Sequence, residues 1–315
     1  MEEYNQQNNE EGNDPFRQDN NSGIESTIHP VAAALIGLFG GFFLYQIVGG
    51  MTTLLVFGFN LEDAPANGVR LMTMAGQILF ILLPALILAK IIYFDVTTII
   101  RFKFPEWKET GLFALGMIFI TPLLQNYLYI QNYLIEKAAA KSETLQKLKS
   151  IVDQLNELIE QTYGNLLTPE NPLEVALIFL VVAVTPAICE EVMFRGYVQK
   201  SFELKIKPLW SALITAVFFG LYHFNPYGII PLIALGLFFG YAAYKSNSIF
   251  IPVLLHFLNN FFAVTVFMMY GEDEFISEKV IEEIDIHFTL AGFLISLLLF
   301  SALVAYINKY YRMKQ

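Results

Sequence analysis

The stretch Pro172–Lys200, PLEVALIFLVVAVTPAICEEVMFRGYVQK, decides how this chain is read. Its first half is an apolar run on the scale of a bilayer crossing, for which about 20 mostly apolar residues suffice. Its second half sets Glu190, Glu191 and Arg195 into the same run. An ionisable side chain inside a span costs about 2.5 to 3.5 kcal/mol on insertion scales, so it is expected to face a cavity or a partner and to have a use. The stretch therefore predicts a membrane helix with a polar site built into it.

Working outward, seven further apolar runs of similar kind lie near residues 31 to 57, 70 to 94, 110 to 131, 208 to 225, 228 to 245, 249 to 270 and 288 to 308. With 55% hydrophobic and 15% charged residues in 315 and a mean hydropathy of +0.51, the composition is that of a membrane protein. The predicted fold is an all-α polytopic transmembrane helical bundle of about eight spans, with one amphipathic extramembrane helix. The turn residues Asn225–Gly228, NPYG, join the fifth and sixth spans as a hairpin. The expected organisation is a disordered polar tail over 1–28 and a three-span N-terminal anchor over 29–134. An amphipathic segment follows over 135–171, then a four-span unit carrying the chemistry over 172–271, and an acidic loop with a terminal span over 272–315.

The polar, acidic first 28 residues do not resemble a cleavable signal. The net charge of −10 comes partly from that tail and partly from the acidic loop that begins at Gly271. No basic stripe with interleaved aromatics appears, which disfavours nucleic acid as a partner. Cys189 is the single cysteine, so an intramolecular disulfide and a multi-thiolate zinc site are both excluded. Lysines and arginines gather at alternate span ends, including Lys90, Arg101, Lys103, Lys200, Lys205, Lys207, Lys245, Lys309, Arg312 and Lys314. The opposite ends hold Arg70, Lys279 and the lysines of 132–171. This asymmetry predicts an integral protein of the cell (inner) membrane with both termini cytoplasmic.

In Ile135–Gln161, residues Leu145, Leu148, Ile151, Val152, Leu155 and Leu158 repeat at helical spacing and form one apolar stripe. Such a helix could lie on the membrane surface or act as a lid over a cavity. The simpler expectation is that it packs on the extramembrane ends of neighbouring spans. In the first three spans the main deep polar residues are Gln46 and Gln77, for which packing and anchoring are expected.

Three polar clusters lie between residues 190 and 260: Glu190, Glu191 and Arg195; Phe219 and His223; His256 and Asn260. Helical neighbours diverge by about 100° while residues four apart share a face, so Glu191 can pair with Arg195 and Glu190 must point elsewhere. His256 and Asn260 share a face by the same rule. Counting about 1.5 Å per residue from the cytoplasmic ends puts Glu190 about 15 Å, His256 about 12 Å and His223 about 24 Å into the membrane. Glu190 and His256 agree in depth. His223 lies too deep unless its span tilts or starts later.

A carboxylate, two imidazoles and an amide in one water-reachable cavity suit hydrolysis. In one scheme Glu190 is the general base for a water held also by His223, and His256 with Asn260 donates to the developing oxyanion. In the other, Glu190, His223 and His256 hold zinc with water as the fourth ligand. Spacing does not choose between them, and no HExxH motif is present. Cys189 adjoins Glu190 but has no base placed for it, and Asn259 is expected on a different face from Asn260. Gly236 and Gly240 are expected to allow close helix packing. Pro186 is expected to kink the span and free a backbone carbonyl.

The ordered set EExxxR, FxxxH and HxxxN, here Glu190, Glu191 and Arg195, then Phe219 and His223, then His256 and Asn260, resembles the CPBP intramembrane protease family. That family includes type II CAAX prenyl endopeptidases and bacterial bacteriocin-processing and immunity proteins. The resemblance covers about residues 172 to 270. It implies a helical membrane endopeptidase acting on a peptide or protein substrate at the bilayer. In such a protein the first Glu and first His activate water, and the second His and the Asn stabilise the oxyanion. The motif positions match throughout, whereas no sign of a prenylated substrate is present. The alternative within the family is a non-catalytic scaffold or bacteriocin-immunity factor. A transporter would favour an inverted repeat, which is absent here.

Overall fold

The architecture, taken from a computed structural model, is described for residues 24–59, 64–271 and 285–314. Most of the predicted polar tail and most of the acidic loop lie outside the described residues. Nine long helices follow one another, with no strand among the described residues. They are α1 (Pro30–Phe57), α2 (Ala66–Tyr93), α3 (Trp107–Ala139), α4 (Glu143–Leu167), α5 (Pro172–Glu203), α6 (Pro208–Tyr222), α7 (Ile229–Ser246), α8 (Phe250–Tyr270) and α9 (Ile286–Lys314). All but α4 and α6 are long and apolar enough to cross a membrane, seven helices in all. The chain is an integral membrane protein with an all-α fold. The run predicted as the fifth span yields only the 15 residues of α6, because the chain leaves the helix at His223.

Apolar side chains sort these helices into two packed groups. One core joins α1, α2, α5 and α6 through residues such as Leu38, Ile81, Phe194 and Phe219. The other joins α3, α7, α8 and α9 through Phe113, Phe239, Leu255 and Ile307. The predicted hairpin of α6 and α7 is present, its turn closed by Asn225 Oδ1 accepting from the Gly228 N–H at 2.7 Å. Gly236 and Gly240 on α7 let α6 and α5 approach closely. A Cβ on Gly236 would stand 3.3 Å from the Ala216 Cα, and one on Gly240 would stand 3.0 Å from the Ala212 Cβ.

Several spans are locally widened to π-helix, including Ile78–Leu82, Phe179–Val184 and Val192–Val198. The first two run up to Pro84 and Pro186, whose missing N–H breaks the regular ladder. At Pro186 the carbonyl four residues earlier, that of Val182, accepts instead from Asn260 Nδ2 at 2.9 Å. The carbonyl expected to be freed by the proline thus fastens α8 to α5.

The amphipathic segment divides differently from the sequence expectation. Residues 135–139 continue α3, a helix of 33 residues, and Ser142 then caps α4 by accepting from the Leu145 N–H. Lys149 binds Glu136 at 2.8 Å, and Asp153 accepts from the Tyr227 hydroxyl in the α6–α7 turn. The far end is tied by Arg70, which donates to the Leu166 and Thr168 carbonyls at 2.9 and 2.7 Å and pairs with Glu174 at 2.9 Å. Burial works against the Lys149 ammonium, yet the bonds to Asp153 and Glu136 raise its pKa above the ordinary lysine value. Along α4 the apolar residues Leu145, Leu148, Ile151 and Leu155 are exposed. The side chain of Leu158 lies outside the described residues. The four exposed positions do not pack on the span ends; α4 is fastened by its polar face and by Leu167, which packs with Ile178 and Val264.

Candidate active site

Between the two cores lies a cavity of about 950 Å³ lined by residues of α1 to α8, with Glu190, His223, His256 and Asn260 all on its wall. Each arrives by a different local route. Glu190 and Glu191 close the short α-helical stretch Thr185–Glu191 of α5 between two π-widened segments. Being adjacent, they diverge as expected: Glu190 lines the cavity, while Glu191 is wholly buried against Arg195 and His256.

Glu191 holds a network rather than a single pair. Its Oε1 accepts from Arg195 Nη1 at 2.7 Å and meets His256 Nδ1 at 2.8 Å. Arg195 also donates to the Gly236 carbonyl at 3.1 Å, and its guanidinium carbon stands 4.3 Å from the Phe219 ring centroid. Phe219 lies 4.7 Å from the His223 ring and 5.8 Å from the His256 ring, centroid to centroid. Phe239 stacks on the other side of His256 at 5.7 Å. The motif arginine and phenylalanine thus touch both histidine-bearing elements, and the imidazole of His256 is fixed with its Nε2 remaining.

His223 is not inside a span. It caps the C-terminus of α6, where the last carbonyls of a helix have no intrahelical donor. Its Nδ1 bonds the Phe219 carbonyl at 2.7 Å, and Gln46 Nε2 donates to the Tyr222 carbonyl at 2.9 Å. Since a carbonyl only accepts, Nδ1 carries the proton and Nε2 keeps its lone pair in the neutral ring. The apparent excess depth of His223 therefore reflects a helix end, half-buried and on the cavity wall.

Sequence reasoning missed two members of the site. Gln77 of α2 is buried and donates from Nε2 to Glu190 Oε1 at 3.0 Å, so its role is not confined to packing. The available signal was its place as a polar residue deep in an apolar run. Asn259, expected on another face, lines the cavity and donates to Asn260 Oδ1 at 3.2 Å. Cys189 is buried beside Glu190 and is not on the cavity wall.

Among the described residues no three His, Cys, Asp or Glu side chains come together as a metal-holding group. Glu190, His223 and His256 share the cavity wall, and no step below runs through a metal. What the geometry offers is a carboxylate with one partnered oxygen, an imidazole lone pair, and two further nitrogens on His256 and Asn260. Glu190 Oε2 has no protein partner. This set can take a proton from water and donate to an oxyanion.

A family model described as Type II CAAX prenyl endopeptidase Rce1-like matches residues 172–262, which run from the start of α5 into α8 and contain every motif residue. No curated protein and no solved structure matches the chain. Residues 172–262 thus match an Rce1-like type II CAAX prenyl endopeptidase domain, which belongs to the CPBP family.

Proposed function

We propose that the protein is an intramembrane endopeptidase that cleaves a peptide bond of a membrane-associated substrate in the cavity between its two cores. The observation that carries this reading is the split of the adjacent glutamates. Glu191 pairs with Arg195 and His256 and is not on the cavity wall, while Glu190 stands on that wall and is bonded to Gln77.

In the scheme, a water bound between Glu190 and His223 Nε2 loses its proton to Glu190. The hydroxide attacks the scissile carbonyl carbon. The resulting oxyanion accepts from His256 Nε2–H and from the second N–H of Asn260, whose first is spent on Val182. For His256 to donate there, its ring carries a proton on each nitrogen, with Nδ1 facing Glu191 Oε1 and Nε2 facing the oxyanion. Glu190 then passes its proton to the leaving nitrogen as the C–N bond breaks, releasing a carboxyl and an amine product. The termini are assigned to the cytoplasm and the protein to the cell membrane on the lysine and arginine asymmetry.

The test is peptidase activity of the purified full chain in lipid, wild type against Glu190→Gln and His223→Ala. Loss of about 10²- to 10⁴-fold in kcat is expected for each, the usual size of a general-base contribution, with unchanged melting for Glu190→Gln. Equal activity in either variant overturns its assigned role, and a wild type that cleaves nothing favours a non-catalytic scaffold. Chelator treatment is expected to leave activity intact; loss restored by zinc would replace this scheme with the zinc one.

A further inference from the structure

The first four turns of α4 divide into three faces. At about 100° per residue, Lys149, Asp153 and Asn156 share an arc of about 60°, Lys147, Ser150 and Gln154 a second, and Leu148, Ile151 and Leu155 a third. The first arc meets the protein: Lys149 binds Glu136 of α3, Asp153 accepts from the Tyr227 hydroxyl, and Asn156 lines the cavity. The second is polar and exposed. The third is apolar, yet its members are 55%, 56% and 51% exposed. A helix in open water has no use for the third face, and one sunk in the bundle has none for the second.

The height of α4 follows from its bonds. Tyr227, which holds Asp153, stands two residues before the start of α7. The 18 residues of α7 rise about 27 Å to Ser246, close to the hydrocarbon thickness of about 30 Å. Lys245 and Asn247 at its far end share a hollow with Lys314, at the end of α9. Tyr227, and Asp153 with it, therefore stands at the opposite edge of the hydrocarbon. The apolar surface there continues that of a span, since Leu134 of α3, two residues before the Glu136 that binds Lys149, is 59% exposed. Lysines do not supply the seat: Lys147 pairs with Glu143 at 2.7 Å, and Lys149 with Glu136 and Asp153 at 2.8 Å.

We infer that α4 is an interfacial helix lying along the edge of the leaflet opposite Lys314. Its stripe of Leu148, Ile151 and Leu155 rests in the acyl chains, Lys147, Ser150 and Gln154 face water, and the remaining face grips the protein. The partner is bilayer lipid of either headgroup charge, held through apolar area alone. Because the same helix carries Asn156 on the cavity wall and holds the turn that follows His223, the leaflet braces the site from outside. None of this depends on the endopeptidase reading.

Spin labels on single introduced cysteines test this in the full-length protein, reconstituted at a low protein-to-lipid ratio. The wild type, whose one cysteine is buried, supplies the blank, and all labelled positions are exposed, so the label displaces no packed side chain. Labels at Leu148→Cys and Leu155→Cys are expected to relax several-fold more with oxygen, which concentrates among acyl chains, than with a water-soluble nickel chelate. At Ser150→Cys and Gln154→Cys the order is expected to reverse. The stripe labels should lie about 5–10 Å into the headgroup and acyl boundary, equally in zwitterionic and anionic vesicles. Equal nickel access on both faces puts the stripe in water and overturns the inference. Stripe labels shielded from both reagents mean that a second copy or another protein segment covers them, which also overturns it, as does seating in anionic vesicles only. A protein that shows the expected pattern but cleaves no peptide counts against the protease reading alone.

Discussion

Glu190 and Glu191 share a peptide bond and almost nothing else. Glu191 has no exposed surface and sits among Arg195, His256, Phe219 and Gly236, a set of groups drawn from α5, α6, α7 and α8. Glu190 keeps one oxygen on Gln77 and lines the cavity, and each acid has a second, buried oxygen without a protein partner. The difference teaches how a bilayer protein can keep a reactive acid. The inner carboxylate, neutralised by an arginine and used to hold four helices, makes the wall rigid. The outer one lines the cavity, and in the proposed scheme it takes the proton from water.

If that division is right, the two acids fail in different ways. Arg195→Leu leaves the Glu191 carboxylate buried without its cation and is expected to destabilise the protein by about 3–5 kcal/mol. A fall in unfolding free energy in detergent checks this, against a Glu190→Gln protein that melts like the wild type. Equal destabilisation by both substitutions would break the comparison. Asn260→Ala probes the outer side. It removes the bond to Val182 as well as a proposed oxyanion donor, and about 10²- to 10³-fold loss in kcat with little change in KM is expected. A KM effect alone would move Asn260 to substrate binding. Gly236→Val tests the inner side most gently. A Cβ there would lie 3.2 Å from Arg195 Nη2 and 3.0 Å from Phe219, so about 1–3 kcal/mol of overpacking should appear as lost stability before lost chemistry.

Helical geometry made the inner half legible in the sequence. A spacing of four tied Glu191 to Arg195 and set His256 and Asn260 on one face, because such relations lie within one element. Relations between elements were harder to read. That Gln77 would reach Glu190 depends on how α2 leans on α5, and Gln77 is 113 positions away along the chain. The same holds for His256, whose partner proved to be the acid already assigned to Arg195. His223 was placed in a span because the apolar run continues through its neighbours. The helix instead stops where the imidazole itself bonds the Phe219 carbonyl. For α4, the periodicity gave a stripe but not its direction. Asn156, Glu157 and Gln161 of its polar face line the cavity, so the direction was set by what α4 packs over and not by its own periodicity.

The brevity of α6 has a consequence for the lipid around it. Its 15 residues rise about 22 Å, against a hydrocarbon thickness of about 30 Å, and Leu209, Trp210 and Leu221 are exposed along it. Acyl chains that reach these side chains would meet a helix about 8 Å short of the hydrocarbon thickness, at the end that carries His223. Activity of the proposed protease is then expected to fall as lipid chain length rises, which reconstitution in a series of bilayer thicknesses checks.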